Sequence, residues 1–71
     1  MIRQPVSSSN LRSVGYDASM SVLEIEFHNG GIYQYLRVDV SVYNGLMRAS
    51  PKGAFYDMYI KKAGYQYIKV C

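Results

Sequence analysis

Cysteine, histidine and tryptophan are almost absent from this chain of 71 residues, which has one cysteine, one histidine and no tryptophan. The lone Cys71 excludes an intramolecular disulfide framework. His28 alone cannot make a zinc site, because a bound metal needs several converging ligands. No Cys–His or Ser–His–Asp set can be assembled from the sequence. We therefore expect no catalytic residues, no metal and no cofactor.

Long apolar runs are missing as well. No stretch has the length of a signal-peptide core or of a membrane-spanning helix. Together with the scarcity of cysteine, this predicts a cytoplasmic protein without a membrane partner. Gly30 and Gly31 precede a predicted strand, so they lack the helix N-terminus that a phosphate-binding loop uses. Glu24 and Glu26 share one strand face and are expected to form a solvated surface rather than an acid–base pair.

The charge of the chain is unevenly distributed along its length. The formal net charge is +3. Residues 1–43 carry three arginines against four carboxylates, whereas residues 44–71 carry five basic residues against one carboxylate. The second half therefore has a net charge of +4 and the first half −1. A basic half is typical of a protein with an anionic partner such as nucleic acid, but a solvated basic helix face is the explanation that we favour slightly.

The strongest local signal is a β-hairpin centred on Asn29-Gly30, between two runs of alternating polarity. A two-residue loop would place Tyr33 and Tyr35 on the face of the glutamates. A three-residue loop with a left-handed Gly30 would place them with Leu23, Ile25 and Phe27, and Gln34 with the glutamates. We favour the three-residue loop, because it joins aromatic to aliphatic and polar to polar side chains.

The rest of the chain predicts an α+β fold. A first strand over residues 11–16 precedes the hairpin strands at 21–27 and 32–37, and the three should form an antiparallel meander. Beyond residue 38 the apolar period changes to that of a helix, with one helix capped by Asp39 or Ser41 and a second from Pro51 to Ala63. Both helices should pack on one face of the sheet. Residues 65–70 should form a short extended segment, residues 1–9 a flexible or loosely docked tail, and residues 10–71 a single domain.

The ordered set of motifs resembles the KTSC domain, a short module found at the C-terminus of some lysyl-tRNA synthetases and in small bacterial and phage proteins. The resemblance covers residues 7–70 and departs from the family pattern at Asp39, where a proline is usual. It implies the fold given above and an association with RNA, without an established activity. The motifs are Ser8-Ser9-Asn10, Gly15-Tyr16-Asp17, Leu23 to Phe27, Asn29-Gly30-Gly31, Tyr33-Gln34-Tyr35, Val42-Tyr43 with Leu46, Ser50 with Gly53 and Phe55-Tyr56, and Tyr65-Gln66-Tyr67.

Two classes of function fit these features. The first is a non-enzymatic module that binds nucleic acid, RNA above all, through basic side chains and stacking tyrosines in the second half of the chain. The second is a module that binds another protein, through a sheet edge or exposed tyrosines, as a bacterial or phage accessory factor. The candidate nucleic-acid contacts are Arg48, Lys52, Lys61, Lys62, Tyr65 and Tyr67.

Overall fold

The computed structural model describes residues 1–71 and contains five strands, two α-helices and one π-helical turn. All neighbouring strands are antiparallel and follow chain order, β1-β2-β3-β4-β5. The predicted α+β class is confirmed, but the prediction of three strands is wrong by two. The elements are β1 (Gln4–Pro5), β2 (Leu11–Asp17), β3 (Val22–Phe27), β4 (Ile32–Tyr35), α1 (Val40–Arg48), α2 (Lys52–Tyr56), the π-turn (Asp57–Lys61) and β5 (Tyr67–Lys69).

The β3–β4 hairpin has the three-residue loop that the sequence favours. The Gly30 amide donates to the carbonyl of Phe27 at 2.9 Å, and the Phe27 amide donates to the carbonyl of Gly31 at 2.9 Å. Gly30 has a φ of +95°, in the left-handed region that favours glycine. In this register Tyr35 lies opposite Leu23 and Tyr33 opposite Ile25. The predicted placement of both tyrosines on the apolar face is confirmed.

The core lies between that face of the sheet and the helices. Asp39, one of the two predicted caps of α1, accepts a hydrogen bond from the Ser41 amide at 3.0 Å. From α1 the fully buried Leu46 enters the core, and from the π-turn Ile60 does the same. The buried core residues are Leu11, Val14, Leu23, Ile25, Tyr35, Val38, Leu46 and Ile60.

The second helix differs from the prediction at both ends. Pro51 has an extended ψ of 144° and therefore precedes the helix as its cap, rather than forming its first turn. The peptide bond between Ser50 and Pro51 is cis. After Tyr56 the hydrogen bonding widens, and the Lys62 amide donates to the carbonyl of Asp57, five residues earlier, at 3.2 Å. Such a π-turn absorbs one extra residue, which a simple helical period does not show.

Two short edge strands complete the sheet. β1 pairs Gln4 with Val14, so part of the predicted N-terminal tail is seated against β2. β5 pairs Tyr67 with Tyr35 and Lys69 with Tyr33, so the predicted extended segment joins the sheet as a strand. Strands of two or three residues carry too little alternation to be recognised from sequence, and their pairing depends on distant parts of the chain.

The face of the sheet away from the helices carries a polar network. Arg3 from the N-terminal segment forms an ion pair with Glu24, and its Nε donates to the hydroxyl of Ser13 at 3.0 Å. Gln34 Nε2 donates to Glu24 at 2.8 Å, as the register predicts. The Ser13 hydroxyl in turn donates to Glu26 at 2.9 Å. This network gives the carboxylate of Glu24, which is nearly buried, an ion-pair partner and a hydrogen-bond donor. Neither helix reaches the length and hydrophobicity that a bilayer-crossing segment requires.

Candidate functional site

An open cavity of about 400 Å³ lies where β4 and β5 meet the second helix, and we call it the tyrosine groove. Six of its nine lining residues are aromatic, and its two polar ones other than tyrosine are an asparagine and a lysine. Concave sites with mostly apolar walls and a few polar groups are the usual setting for ligands. The lining residues are Phe27, Asn29, Tyr33, Tyr35, Tyr56, Ile60, Lys61, Tyr65 and Tyr67.

The register of the sheet builds one wall of the groove. Alternation places Tyr33 and Tyr35 on the same face of β4, and β5 aligns Tyr67 beside them. The Tyr67 ring centroid lies 5.9 Å from that of Tyr33 and 5.8 Å from that of Tyr35. Tyr67 is 62% exposed, whereas Tyr35 is 5% exposed. The wall thus runs from a buried floor to a ring that faces solvent.

The second helix supplies the opposite wall. The ring of Tyr56 makes an edge-to-face contact with Phe27, with centroids 5.2 Å apart. The hydroxyls of Tyr56 and Tyr35 share a hydrogen bond of 2.7 Å at the floor. Burial raises the pKa of Tyr35 above its usual value, and the hydrogen bond to Tyr56 raises it further. The Tyr35 side chain is therefore a neutral hydroxyl at physiological pH.

Basic side chains lie along the rim of the groove. Lys61, at the end of the π-turn, lines the groove directly, and Lys62 beside it is exposed. Lys69 lies opposite Tyr33 on β5 and lines an adjoining hollow that shares Tyr33 and Asn29 with the groove. The nearest carboxylate to Lys61 is that of Asp57, at 3.9 Å in an exposed pair, which contributes little.

The structure brings together some of the residues predicted as nucleic-acid contacts and separates others. Lys61, Tyr65 and Tyr67 line the groove together. Lys52 lies elsewhere, and its ammonium donates to the carbonyls of Met47 and Ala49 at 2.9 Å each. Lys52 thus caps the C-terminal end of α1, where carbonyls lack helical partners. Arg48 is exposed on the last turn of α1, outside the groove.

Sequence reasoning missed four aromatic lining residues and one basic residue of the rim. The sequence predicts that Tyr33 and Tyr35 belong to the core. Lys69 follows Tyr67 by two residues, so alternation along a strand places both side chains on the same face, beside Tyr33 and Tyr35. The pairing of β5 with β4 is the missing step, because only that contact brings the two segments side by side. The missed residues are Phe27, Tyr33, Tyr35, Tyr56 and Lys69.

Metal-ligating side chains are not gathered anywhere in the molecule. No group of three or more histidine, cysteine, aspartate or glutamate residues lies close enough to hold a metal ion. The imidazole Nε2 of His28 lies 2.9 Å from the carbonyl oxygen of Ser8 and tethers the hairpin to the segment before β2. The groove itself offers aromatic rings for stacking, hydroxyl and amide groups for hydrogen bonding, and the charge of Lys61.

Comparison with known proteins gives a consistent family pattern. The KTSC domain model matches residues 7–67. An uncharacterised protein of Stutzerimonas stutzeri is 36% identical over 70 residues, which cover 99% of each chain. A protein of Tsukamurella paurometabola is 34% identical over 58 residues, 82% of this chain and 87% of its own. The crystal structure of a KTSC domain protein from Yersinia pestis matches with a TM-score of 0.93 at 43% identity, covering 99% of this chain and 97% of its own.

Proposed function

The chain belongs to the KTSC domain family, and from that premise we propose that it is a non-enzymatic, cytoplasmic module that binds single-stranded RNA in the tyrosine groove. The observation that carries the proposal is the meeting of Lys61, Tyr65 and Tyr67 in one aromatic cavity. Proteins that bind single strands combine a basic channel for the phosphates with aromatic rings on which bases stack. The groove and its rim provide both components on one side of the molecule.

Two contributions to binding affinity follow from this arrangement. Tyr67, with 62% of its surface exposed, offers a ring on which a base can stack. Such stacking contributes about 1–3 kcal/mol per base. Lys61, Lys62 and Lys69 are exposed, so they can neutralise phosphates and release counterions. The carboxylate network around Glu24 lies on the opposite face of the sheet, where it does not repel an RNA strand in the groove.

Salt dependence of binding tests the proposal. We expect a labelled single-stranded RNA to bind at low salt and to weaken steeply as salt rises, as measured by fluorescence anisotropy. Replacing Lys61 and Lys62 by alanine should lower the slope of log K against log salt by about two phosphate contacts. The matched control replaces Arg12 and Arg37, two exposed arginines outside the groove, and should leave the slope unchanged.

The alternative function is a protein–protein interaction module, and the exposed edge of β5 is the observation that favours it. β5 is the last strand of the sheet, and its Ile68 is 52% exposed. An edge strand offers unpaired backbone groups to an extended segment of another protein. Absence of RNA binding at low salt, or binding that the Lys61 and Lys62 replacements do not change, would favour this alternative.

A further inference from the structure

Resting on the proposed function, we propose that the tyrosine groove selects bases with a keto oxygen at C4 of a pyrimidine or C6 of a purine, uracil and guanine, over cytosine and adenine, which carry an amino group there. The non-tyrosine polar groups that line it, Asn29 and Lys61, both offer free hydrogen-bond donors. A groove of about 400 Å³ admits an inserted base as well as stacking against one. Such a groove can read the edge of the base that enters it.

Asn29 is oriented by the hairpin itself. Its side-chain oxygen accepts from the Gly31 amide at 2.9 Å, which fixes the plane of the carboxamide beside the groove. The Nδ2 group makes no hydrogen bond within the protein, because the only bond of this side chain is made by its oxygen. Asn29 therefore presents N–H donors to an occupant of the groove, and its acceptor is already engaged.

Lys61 and the hydroxyl pair add further donors. The ammonium of Lys61 only donates. In the pair formed by Tyr35 and Tyr56, one hydroxyl proton lies between the two oxygens, so one O–H remains for a ligand whichever oxygen donates. The raised pKa of Tyr35 keeps its own hydroxyl protonated at physiological pH. The floor and one rim of the groove thus both present donors.

Base chemistry then separates the four ligands. Uracil presents O4 and guanine presents O6 and N7 as acceptors, whereas cytosine and adenine place an exocyclic amino donor at the corresponding position. A keto oxygen can accept from Asn29 and Lys61, but an amino group would meet donor against donor. A polar group removed from water without a partner loses its hydrogen bonds to water, so the mismatched bases should bind more weakly.

The test compares dodecamers of uridine and of cytidine, which carry the same phosphates. We expect the dissociation constant of the cytidine oligomer to exceed that of the uridine oligomer by about tenfold, which corresponds to about 1.4 kcal/mol. Asn29→Asp keeps the acceptor for the Gly31 amide and replaces the donor by a second acceptor. Its added charge repels both oligomers alike, so the ratio of the two constants is the informative measurement, and it should fall below about threefold.

Two further variants support the interpretation. Lys61→Ala removes the ammonium donor and should also lower the ratio. Tyr59→Phe removes an exposed hydroxyl outside the groove and should leave the ratio unchanged. Equal binding of the two oligomers by the natural protein, or an unchanged ratio in Asn29→Asp, would overturn the keto preference alone. Failure of both oligomers to bind at low salt would overturn the proposed function as well.

Discussion

Tyrosine is used in two distinct ways in this protein. Tyr16 is structural, since its hydroxyl donates to the carbonyl of Val38 at 2.6 Å and its ring stacks on Tyr43 with centroids 5.2 Å apart. Tyr67 lies at the other extreme, with its ring largely exposed at the groove. Tyr35 combines the two uses, because its ring is part of the core and its hydroxyl forms the groove floor. A side chain with an apolar body and a polar tip suits all three positions.

Among the charged residues, the nearly buried Glu24 depends most on its neighbours. Burial opposes its charged form, but the hydrogen bonds from Gln34 and Arg3 and the charge of Arg3 outweigh that cost and lower the pKa of Glu24. A lowered pKa in the folded state adds stability above the pKa of the unfolded chain. That stability is lost as the pH falls through the folded value.

We therefore predict that Arg3→Ala weakens the dependence of stability on pH. At neutral pH the variant should be less stable by about 1–3 kcal/mol, because a buried carboxylate loses a charged partner. As the pH falls below 4.5, the ordinary pKa of a glutamate, the natural protein should lose more stability than the variant, because in the variant Arg3 no longer lowers the pKa of Glu24. Urea unfolding at several pH values measures both effects.

Two other carboxylates of the protein, Asp17 and Asp39, serve as the control for this prediction. Hydrogen bonds from Ser19 lower the pKa of Asp17, and those from Ser41 lower the pKa of Asp39, and neither pair involves Arg3. These two carboxylates should contribute the same acid sensitivity to both proteins. Equal loss of stability in the natural protein and in Arg3→Ala would show that Arg3 does not set the titration of Glu24.

At the level of elements, the sequence pattern predicted the features that depend on contacts between residues close together in the chain. The Asn29-Gly30 turn and the alternation on either side of it determine the hairpin register, because a slip by one residue would move every apolar side chain off the core. The apolar stripe of α1 follows the helical period and packs on the core, with Val42, Tyr43, Leu46 and Met47 as its members. The pairing of β1 and β5, and the extra residue of the π-turn, depend on distant contacts, so sequence periodicity did not show them. The groove was predicted only in part for the same reason.

The pairing of β1 with β2 depends on Gly15. A Cβ added there would lie 2.7 Å from the carbonyl oxygen of Ile2, closer than such atoms approach. A glycine within a strand is typical of a bulge or of a close backbone approach, and at residue 15 the structure shows the close approach. β1 can pair with β2 only because residue 15 has no side chain.

We predict that Gly15→Ala displaces β1 and leaves the rest of the sheet intact. Overpacking of this kind typically costs about 1–3 kcal/mol. The amide of Val6, which donates to the carbonyl of Arg12 at 3.0 Å, should lose its protection from hydrogen exchange. Amides shared by β2 and β3 should stay protected. Ile2→Ala, at a side chain that is 88% exposed, is the control and should change stability by less than about 0.5 kcal/mol. Retained protection at Val6 would contradict the prediction.

At the scale of the whole molecule, the sheet separates two chemistries. One face carries the carboxylates of Glu24 and Glu26 within a network that Arg3 closes. The other carries the core, the tyrosine groove and the lysines along its rim. The sheet keeps the acidic groups away from the groove, which leaves the groove side with the positive balance of the second half of the chain. Attraction of an anionic strand should therefore be confined to one side.

This separation of charge predicts which surface of the protein RNA will bind. In a titration with single-stranded RNA followed by backbone amide NMR, the perturbed amides should cluster at Tyr33, Lys61, Tyr67 and Lys69. Amides of the opposite-face residues near Glu26 should change little, because repulsion and distance both exclude the strand from them. The perturbations should shrink as salt rises, in step with the loss of affinity. Perturbations confined to β5, with the amides of Tyr33 and Lys61 unchanged and with no dependence on salt, would instead contradict binding of RNA in the groove.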